Sequence, residues 1–260
     1  MAPILQVQNL QKTFGAVVAA KDINVDVEPG EIVGIIGANG AGKTTFVNMV
    51  TGYLKPTDGA IKFEGRDITG LAPRKVTMTG IGRSFQVSQV FMTLSVFENL
   101  LTALAIAQSP GAAMLRPLRR AELIAECEAT LERYGIADHR DQPASQLSQG
   151  VRKLLDIAMA MVSKPKILLL DEPTSGVSVE EKFGLMDRVM DALKSADVTV
   201  LFIEHDMEIV ERYVSRVLAF YQGEIICDAP PAEALADPKV QEFVIGTEVH
   251  RETHGSNADA

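Results

Sequence analysis

The sequence predicts an α/β protein with a mixed, largely parallel sheet, an N-terminal antiparallel β subdomain and an inserted α-helical subdomain. Unbroken apolar runs in "PGEIVGIIG", "KPKILLLDE" and "DVTVLFIEHD" mark strands buried on both faces, as parallel strands are. Alternating segments near the N-terminus, "ILQVQNLQKTF" and "INVDVE", mark half-buried strands. From about residue 88 to 162 Ala, Leu, Glu and Arg dominate and strand signals are few.

Composition narrows the function classes. The chain has 260 residues, 47% of them apolar, enough for a sizeable core. Net charge is -9, which argues against duplex nucleic acid as the main partner, since phosphate backbones demand clustered Lys and Arg. The two cysteines, Cys127 and Cys227, have no metal-ligand spacing and fit a reducing compartment. The first residues lack the pattern of a signal peptide, and no apolar run approaches the roughly 20 residues of a membrane span. A soluble, cytoplasmic chain is expected.

In chain order, the two alternating strands lead to a Pro-Gly turn and the buried run "EIVGIIG". "GANGAGKTT" follows, then the helical segment "TTFVNMVTGYL". "GAIKFEGRDI" reads as a strand, a turn at Glu64-Gly65 and a short return. "AELIAECEATLERYG" is a helix ending at Gly135. "VSRVLAFYQGEIICDAPP" reads as a hairpin turning at Gln222-Gly223, and "RETHGSNADA" as a polar, frayed tail.

The stretch "GANGAGKT" fits G-x-x-x-x-G-K-[ST], with a buried strand before it and a helix after it. Gly37, Asn39, Gly40, Ala41 and Gly42 would wrap phosphate oxygens with backbone N–H groups. The helix adds its positive dipole end. Lys43 would reach the β- and γ-phosphates, Thr44 would sit on Mg2+, and Thr45 extends the site. A second buried strand ends in Asp171 and Glu172, the first suited to Mg2+ and the second to the attacking water. His205 ends another strand at the same sheet edge, placed to contact the γ-phosphate and water. Gln86, between the core and the helical insert, is a further Mg2+ ligand candidate. Phe14 is suited to stacking on adenine or to the core. Ser148, Gln149 and Gly150, in "LSQG", open a helix and form a second anion-binding end.

Phe14, the P-loop from Gly37 to Thr45, Gln86, "LSQG", "ILLLDEPTSG" and His205 together resemble the ATP-binding-cassette family, over nearly the whole chain. The resemblance implies a single nucleotide-binding domain over residues 1–250, with a P-loop NTPase core at 1–86 and 163–246 and a helical subdomain at about 87–162, running into a polar C-terminal tail at 247–260. It also implies ATP and Mg2+ as ligands, with Glu172 and His205 catalytic. Two cassettes would pack head to tail, so that Ser148 and Gly150 face the ATP of the other chain.

Two positions depart from the family pattern. Val151 stands where a glutamine would complete an S-x-x-Q capping box with Ser148, a loss of ~0.5 kcal/mol by analogy with other caps. Gly176-Val177-Ser178 stands where Ala-Leu-Asp is common, so Ser178 can hydrogen-bond across a dimer but carries no charge.

"GIGRSFQVSQVFMTLSVFENLL", "GRDITGLAP", "IEHDM" and "PAEALADPKVQEFVIG" are similar to importer ATPases for branched-chain amino acids. Urea, amide and aromatic-acid importers share the pattern, and a lipopolysaccharide-export ATPase is related. The implied partners are a second cassette, the same or related, two transmembrane permeases and, through them, an extracytoplasmic binding protein. No nucleic acid is implied, and the chain would lie peripherally at the inner face of the membrane. Val87, Val90, Phe91, Met92, Leu94 and Phe97 would line a groove for a permease helix or close the subdomain core. Other classes fit poorly. Only 128 residues separate Lys43 and Asp171, too few for the long coiled coil of DNA-maintenance cassettes, there is one cassette where translation factors carry two, and no Asn-Lys-x-Asp reads guanine.

Overall fold

The computed structural model describes residues 2–85, 89–108, 117 and 119–246. Gln86, Val87 and the tail 247–260 lie outside them.

Two sheets form the frame. Strands β1 (Leu5–Phe14), β2 (Val17–Val27), β4 (Asp58–Phe63) and β5 (Arg66–Asp67) make an antiparallel sheet in the order β2-β1-β4-β5. Strands β3 (Ile32–Gly37), β6 (Ile81–Ser84), β7 (Ile167–Asp171), β8 (Thr199–Ile203), β9 (Arg216–Tyr221) and β10 (Glu224–Ala229) make the second, in the order β10-β9-β3-β8-β7-β6. All neighbours in it are parallel except the β9–β10 hairpin. The hairpin turns at Gln222 and Gly223, both at positive φ, and the β4–β5 turn at Glu64 and Gly65 is of the same kind.

The central strands alternate between two apolar layers, as a period of two requires. Ile167, Leu169, Leu201 and Ile203 pack with Val33, Ile35 and the antiparallel sheet, over helix α1 (Lys43–Val50). Leu168, Leu170, Val200 and Phe202 pack on the opposite face. That layer continues without a break into α3 (Val96–Gln108), α4 (Ala121–Arg133), α5 (Gln149–Met161) and α6 (Val179–Lys194). The inserted helices therefore complete one face of the sheet. Each buried Leu or Ile there contributes roughly 1.5–3 kcal/mol against exposure.

Local chemistry sets the ends. Helix α1 is shorter than the apolar pattern of "TTFVNMVTGYL" predicts, because Gly52 takes φ 78 just after Val50 and Thr51. Short helices α2 (Pro73–Thr79) and α7 (Met207–Tyr213) lead into β6 and β9, while α8 (Pro231–Ala236) and α9 (Pro238–Val240) follow β10. Among the described residues no helix is long and apolar enough to cross a membrane.

Candidate active site

The site lies at the C-terminal ends of three adjacent parallel strands, β3, β8 and β7, where open α/β sheets gather ligands. Strand β3 delivers the Gly37–Thr44 loop. A Cβ on Gly37 would lie 2.5 Å from the Phe220 carbonyl oxygen. One on Gly42, at φ 106, would lie 2.7 Å from the Ala19 carbonyl oxygen. Only glycine fits at either place, so sequence and backbone agree on a loop wound close against its neighbours. Asn39, Gly40 and Thr44 are exposed along it, Ala41 is buried, and Thr45 is half-buried.

Lys43 is buried, and its ammonium donates to the carbonyl oxygens of Gly37 at 2.6 Å and Ala38 at 3.0 Å. Burial pushes its pKa down, and the charges of Glu172 and Asp171 oppose that shift. The lysine thus folds over its own loop, facing two carboxylates. The first N–H groups of α1 have no acceptor within the helix, which suits them to phosphate oxygens. A nucleoside triphosphate with Mg2+ fits this donor set: glycines whose Cβ atoms would clash, a buried ammonium, an exposed Thr44 hydroxyl and Asp171.

Strand β7 delivers Asp171, which is buried and accepts from Arg83 Nη2 at 2.7 Å. Glu172 follows at φ 47, a left-handed conformation strained for a residue with a long side chain. Its N–H donates to the Ile203 carbonyl oxygen at 3.0 Å, which ties β7 to the end of β8. His205, just past β8, is exposed, and its Nε2 lies 2.9 Å from Glu172 Oε1. An ionised glutamate can only accept, so Nε2 then carries the proton. The pair predicted from two separate strand ends is thus in direct contact.

Behind this pair, Glu204 is buried and accepts from the Thr174 hydroxyl at 2.7 Å, the Thr174 N–H at 3.1 Å and the His205 N–H at 3.1 Å. Burial raises its pKa, and those hydrogen bonds work against the rise. Lys153 of α5 donates to the Phe85 carbonyl oxygen at 2.8 Å and the Asp171 carbonyl oxygen at 3.3 Å. Asp156, one turn on, accepts from the Ser84 hydroxyl and from the Gln89 N–H at 2.8 Å. Burial raises the pKa of Asp156 and lowers that of Lys153. Arg83, Lys153, Asp156 and Glu204 were not among the residues expected from sequence. The one signal available was their position beside recognised motifs.

The remaining candidates sit apart. Phe14, at the end of β1, is half exposed with Lys12 Nζ 5.0 Å from its ring centre, so it is not a core residue. Ser148 caps α5, its hydroxyl accepting from the Val151 N–H at 3.4 Å. Ser148 and Gln149 are exposed and Gly150 half-buried. Gln149 packs beside Gly176, so the "LSQG" turn touches the loop after Glu172. Ser178 stands at the N-cap position of α6 without a side-chain cap, and its hydroxyl donates to Glu181 Oε2 at 3.2 Å. Gln86 lies outside the described residues, although Phe85 and Gln89 on either side of it are both held by α5.

Comparison with known proteins agrees with this geometry. The sequence model for "ABC transporter" matches residues 20–175. The chain is 35% identical to the high-affinity branched-chain amino acid transport ATP-binding protein LivG of Escherichia coli, over 94% of this chain and 98% of that protein. It is 36% identical to the probable LivG of Archaeoglobus fulgidus, over 94% and 96%. A solved ATP-binding cassette of an ABC transporter, in its ADP conformation, superposes with a TM-score of 0.82 at 32% identity, covering 95% of this chain and all of that one. The glycine loop, the carboxylates at the end of β7, the histidine after β8 and these matches together show that the chain belongs to the ABC transporter family of ATP-binding cassettes.

Proposed function

We propose that this chain is the ATP-binding and ATP-hydrolysing subunit of an importer for branched-chain amino acids or related compounds. The observation that carries the mechanism is the 2.9 Å contact between Glu172 and His205 at the mouth of the Lys43 loop. The similarity to LivG proteins carries the class of substrate.

In this reading the loop amides and Lys43 hold the triphosphate, and Phe14 covers the adenine. Thr44, Asp171 and Gln86 hold Mg2+, which supplies charge neutralisation on the phosphates when bound. Glu172 accepts the proton of the attacking water. His205 steers that carboxylate and faces the γ-phosphate. The strained backbone at Glu172, pinned to Ile203, fixes where the carboxylate stands. Residues 1–250 act as one nucleotide-binding domain with its helical part at about 87–162.

The exposed Ser148 and Gln149, with the half-buried Gly150, complete the site of a second cassette packed head to tail, identical or related. Two transmembrane permeases dock on the turn at residues 90–94, and an extracytoplasmic binding protein feeds them. The chain then works at the inner face of the membrane. Support for the docking surface is local. Phe91 and Met92 are exposed while Phe97 is core, and Val90 and Leu94 are half-buried. The buried Asn99 donates to the Phe91, Leu94 and Ser95 carbonyl oxygens and accepts from the Phe91 N–H, so the apolar turn is held rigid.

Steady-state phosphate release, run beside equilibrium nucleotide binding, tests the chemistry. Glu172→Gln is expected to retain ATP and lose at least ~100-fold in turnover, the usual range for loss of a general base. Turnover within a few-fold of wild type would remove Glu172 from its role.

A further inference from the structure

We infer that Arg83 is an internal cation that competes with Mg2+ for the Asp171 carboxylate and so sets the metal affinity of the nucleotide site. This rests on the proposed reading of Asp171 as a metal-holding residue. Arg83 lies on β6, the strand beside β7 at the sheet edge. Its Nη2 is 2.7 Å from Asp171 Oδ2, and the two side chains are only 8% and 10% exposed.

The guanidinium does not depend on Asp171 for its place. Nη1 donates to Asn48 Oδ1 at 2.6 Å and Thr51 Oγ1 at 3.2 Å, both on the α1 side of the site. The Phe85 ring lies 4.7 Å from the guanidinium carbon and the Tyr53 ring 5.7 Å from it. These two rings meet edge to face at 5.5 Å. Four groups therefore hold a fixed positive charge against one oxygen of the carboxylate.

Nor does the pair serve to join β6 to β7. That ladder already pairs Arg83 with Leu169 and Ser84 with Leu170 through the backbone. What the guanidinium adds is charge. Mg2+ is a hard cation that sheds water reluctantly and needs anionic oxygen. A carboxylate already shared with a buried guanidinium is a poorer ligand for it. Two consequences separate this from a scaffold role. A scaffold residue, once removed, loosens Asp171 and weakens metal binding. A competing cation, once removed, strengthens it.

The test is Mn2+ binding, followed by electron paramagnetic resonance, to the full chain saturated with ADP. Arg83→Gln keeps a hydrogen-bond donor and loses the charge. It is expected to bind Mn2+ about tenfold more tightly than wild type, since a unit charge is being removed next to the metal site in a partly buried setting. Arg83→Lys, which keeps the charge, should stay close to wild type. In an Asp171→Asn background the gain from Arg83→Gln should shrink, because the shared carboxylate is gone. Unchanged or weaker Mn2+ binding in Arg83→Gln overturns the inference while leaving the site assignment intact. A wild-type chain that binds ADP without any Asp171-dependent Mn2+ site overturns the assignment, and the inference with it.

A second measurement needs no charge-removing variant. In 15N-arginine spectra of the wild-type chain, with Arg83→Lys giving the assignment, the Arg83 Nη signals should be resolved and slowly rotating with ADP alone. Adding Mg2+ should shift the Nη2 signal as its hydrogen bond to Asp171 is displaced, while Nη1 stays held by Asn48 and Thr51. Signals that ignore Mg2+ would contradict competition.

Discussion

His205 and Glu172 come from different strands, and their meeting at 2.9 Å gives the histidine a measurable job. If it steers the carboxylate, His205→Ala should lower kcat by ~10–100-fold with little change in ATP affinity, a smaller loss than removing the base itself. Single-turnover hydrolysis at saturating ATP checks this. An unchanged kcat would assign the contact to structure alone. Gly42 offers a sharper case, since both backbone and space forbid a side chain there. Gly42→Ala should cost at least ~1–3 kcal/mol for the forced φ, and clash with Ala19 as well. Denaturant unfolding measures the sum of the two costs. At this scale the sequence was highly legible where a motif fixes both residue and context, as at Gly37–Thr44 and Asp171–Glu172. It was silent on Arg83, Lys153 and Glu204. Their roles come from which strand or helix lies beside which, and no local pattern encodes that.

Helix α5 shows what an element adds. Ser148 caps it alone, through a long 3.4 Å hydrogen bond to the Val151 N–H. Val151→Gln would let a side chain reach back to the Ser148 N–H and complete a capping box. A gain of ~0.5 kcal/mol is expected, visible as a higher denaturation midpoint with an unchanged slope. No gain would mean that the single cap already suffices. Below the cap, Lys153 and Asp156 fasten α5 to Phe85, Ser84, Gln89 and the Asp171 carbonyl. The "LSQG" turn is thereby tied to the strand ends that carry the site. Element boundaries followed the sequence where the period was clear, as in β1, β3 and β7. They departed from it where the pattern was short. Strand β6 is only "IGRS", with a glycine and an arginine in four residues, and it exists because β7 offers a parallel partner. No strand is expected there from the sequence, which is why the Arg83–Asp171 pair went unseen.

At the scale of the molecule, the six-stranded sheet carries an apolar layer on each face, and the inserted helices close one of those layers. Cys127 of α4 is sealed inside that layer, and burial pushes its thiol pKa up to about 12. Cys227 on β10 is half-buried, with its thiol pushed up by burial as well. A maleimide at neutral pH should therefore label Cys227 slowly and spare Cys127 until the chain unfolds, which mass spectrometry of digested protein reads directly. Equal labelling of both would mean that the helical layer opens. The same shift has a signed consequence. The native thiol keeps its proton between the ordinary value near 9 and about 12, while the unfolded thiol loses it. The unfolded state is then favoured, so this group lowers stability as pH rises through that window. Cys127→Ala should flatten that part of the stability profile.

The fold places a candidate hydrolytic site, an "LSQG" turn with Ser148 and Gln149 exposed, and an apolar turn around Phe91 hydrogen-bonded to Asn99 on one chain. The proposal that joins them is an importer subunit that meets a second cassette and two permeases. The most direct measurement is affinity purification of tagged Glu172→Gln chain from gently solubilised native membranes with ATP and Mg2+ present. Recovery of two multi-span permeases and a second cassette is the predicted result, and their binding protein should then bind branched-chain or related amino acids. Recovery of soluble partners, ribosomes or nucleic acid without any permease would contradict it.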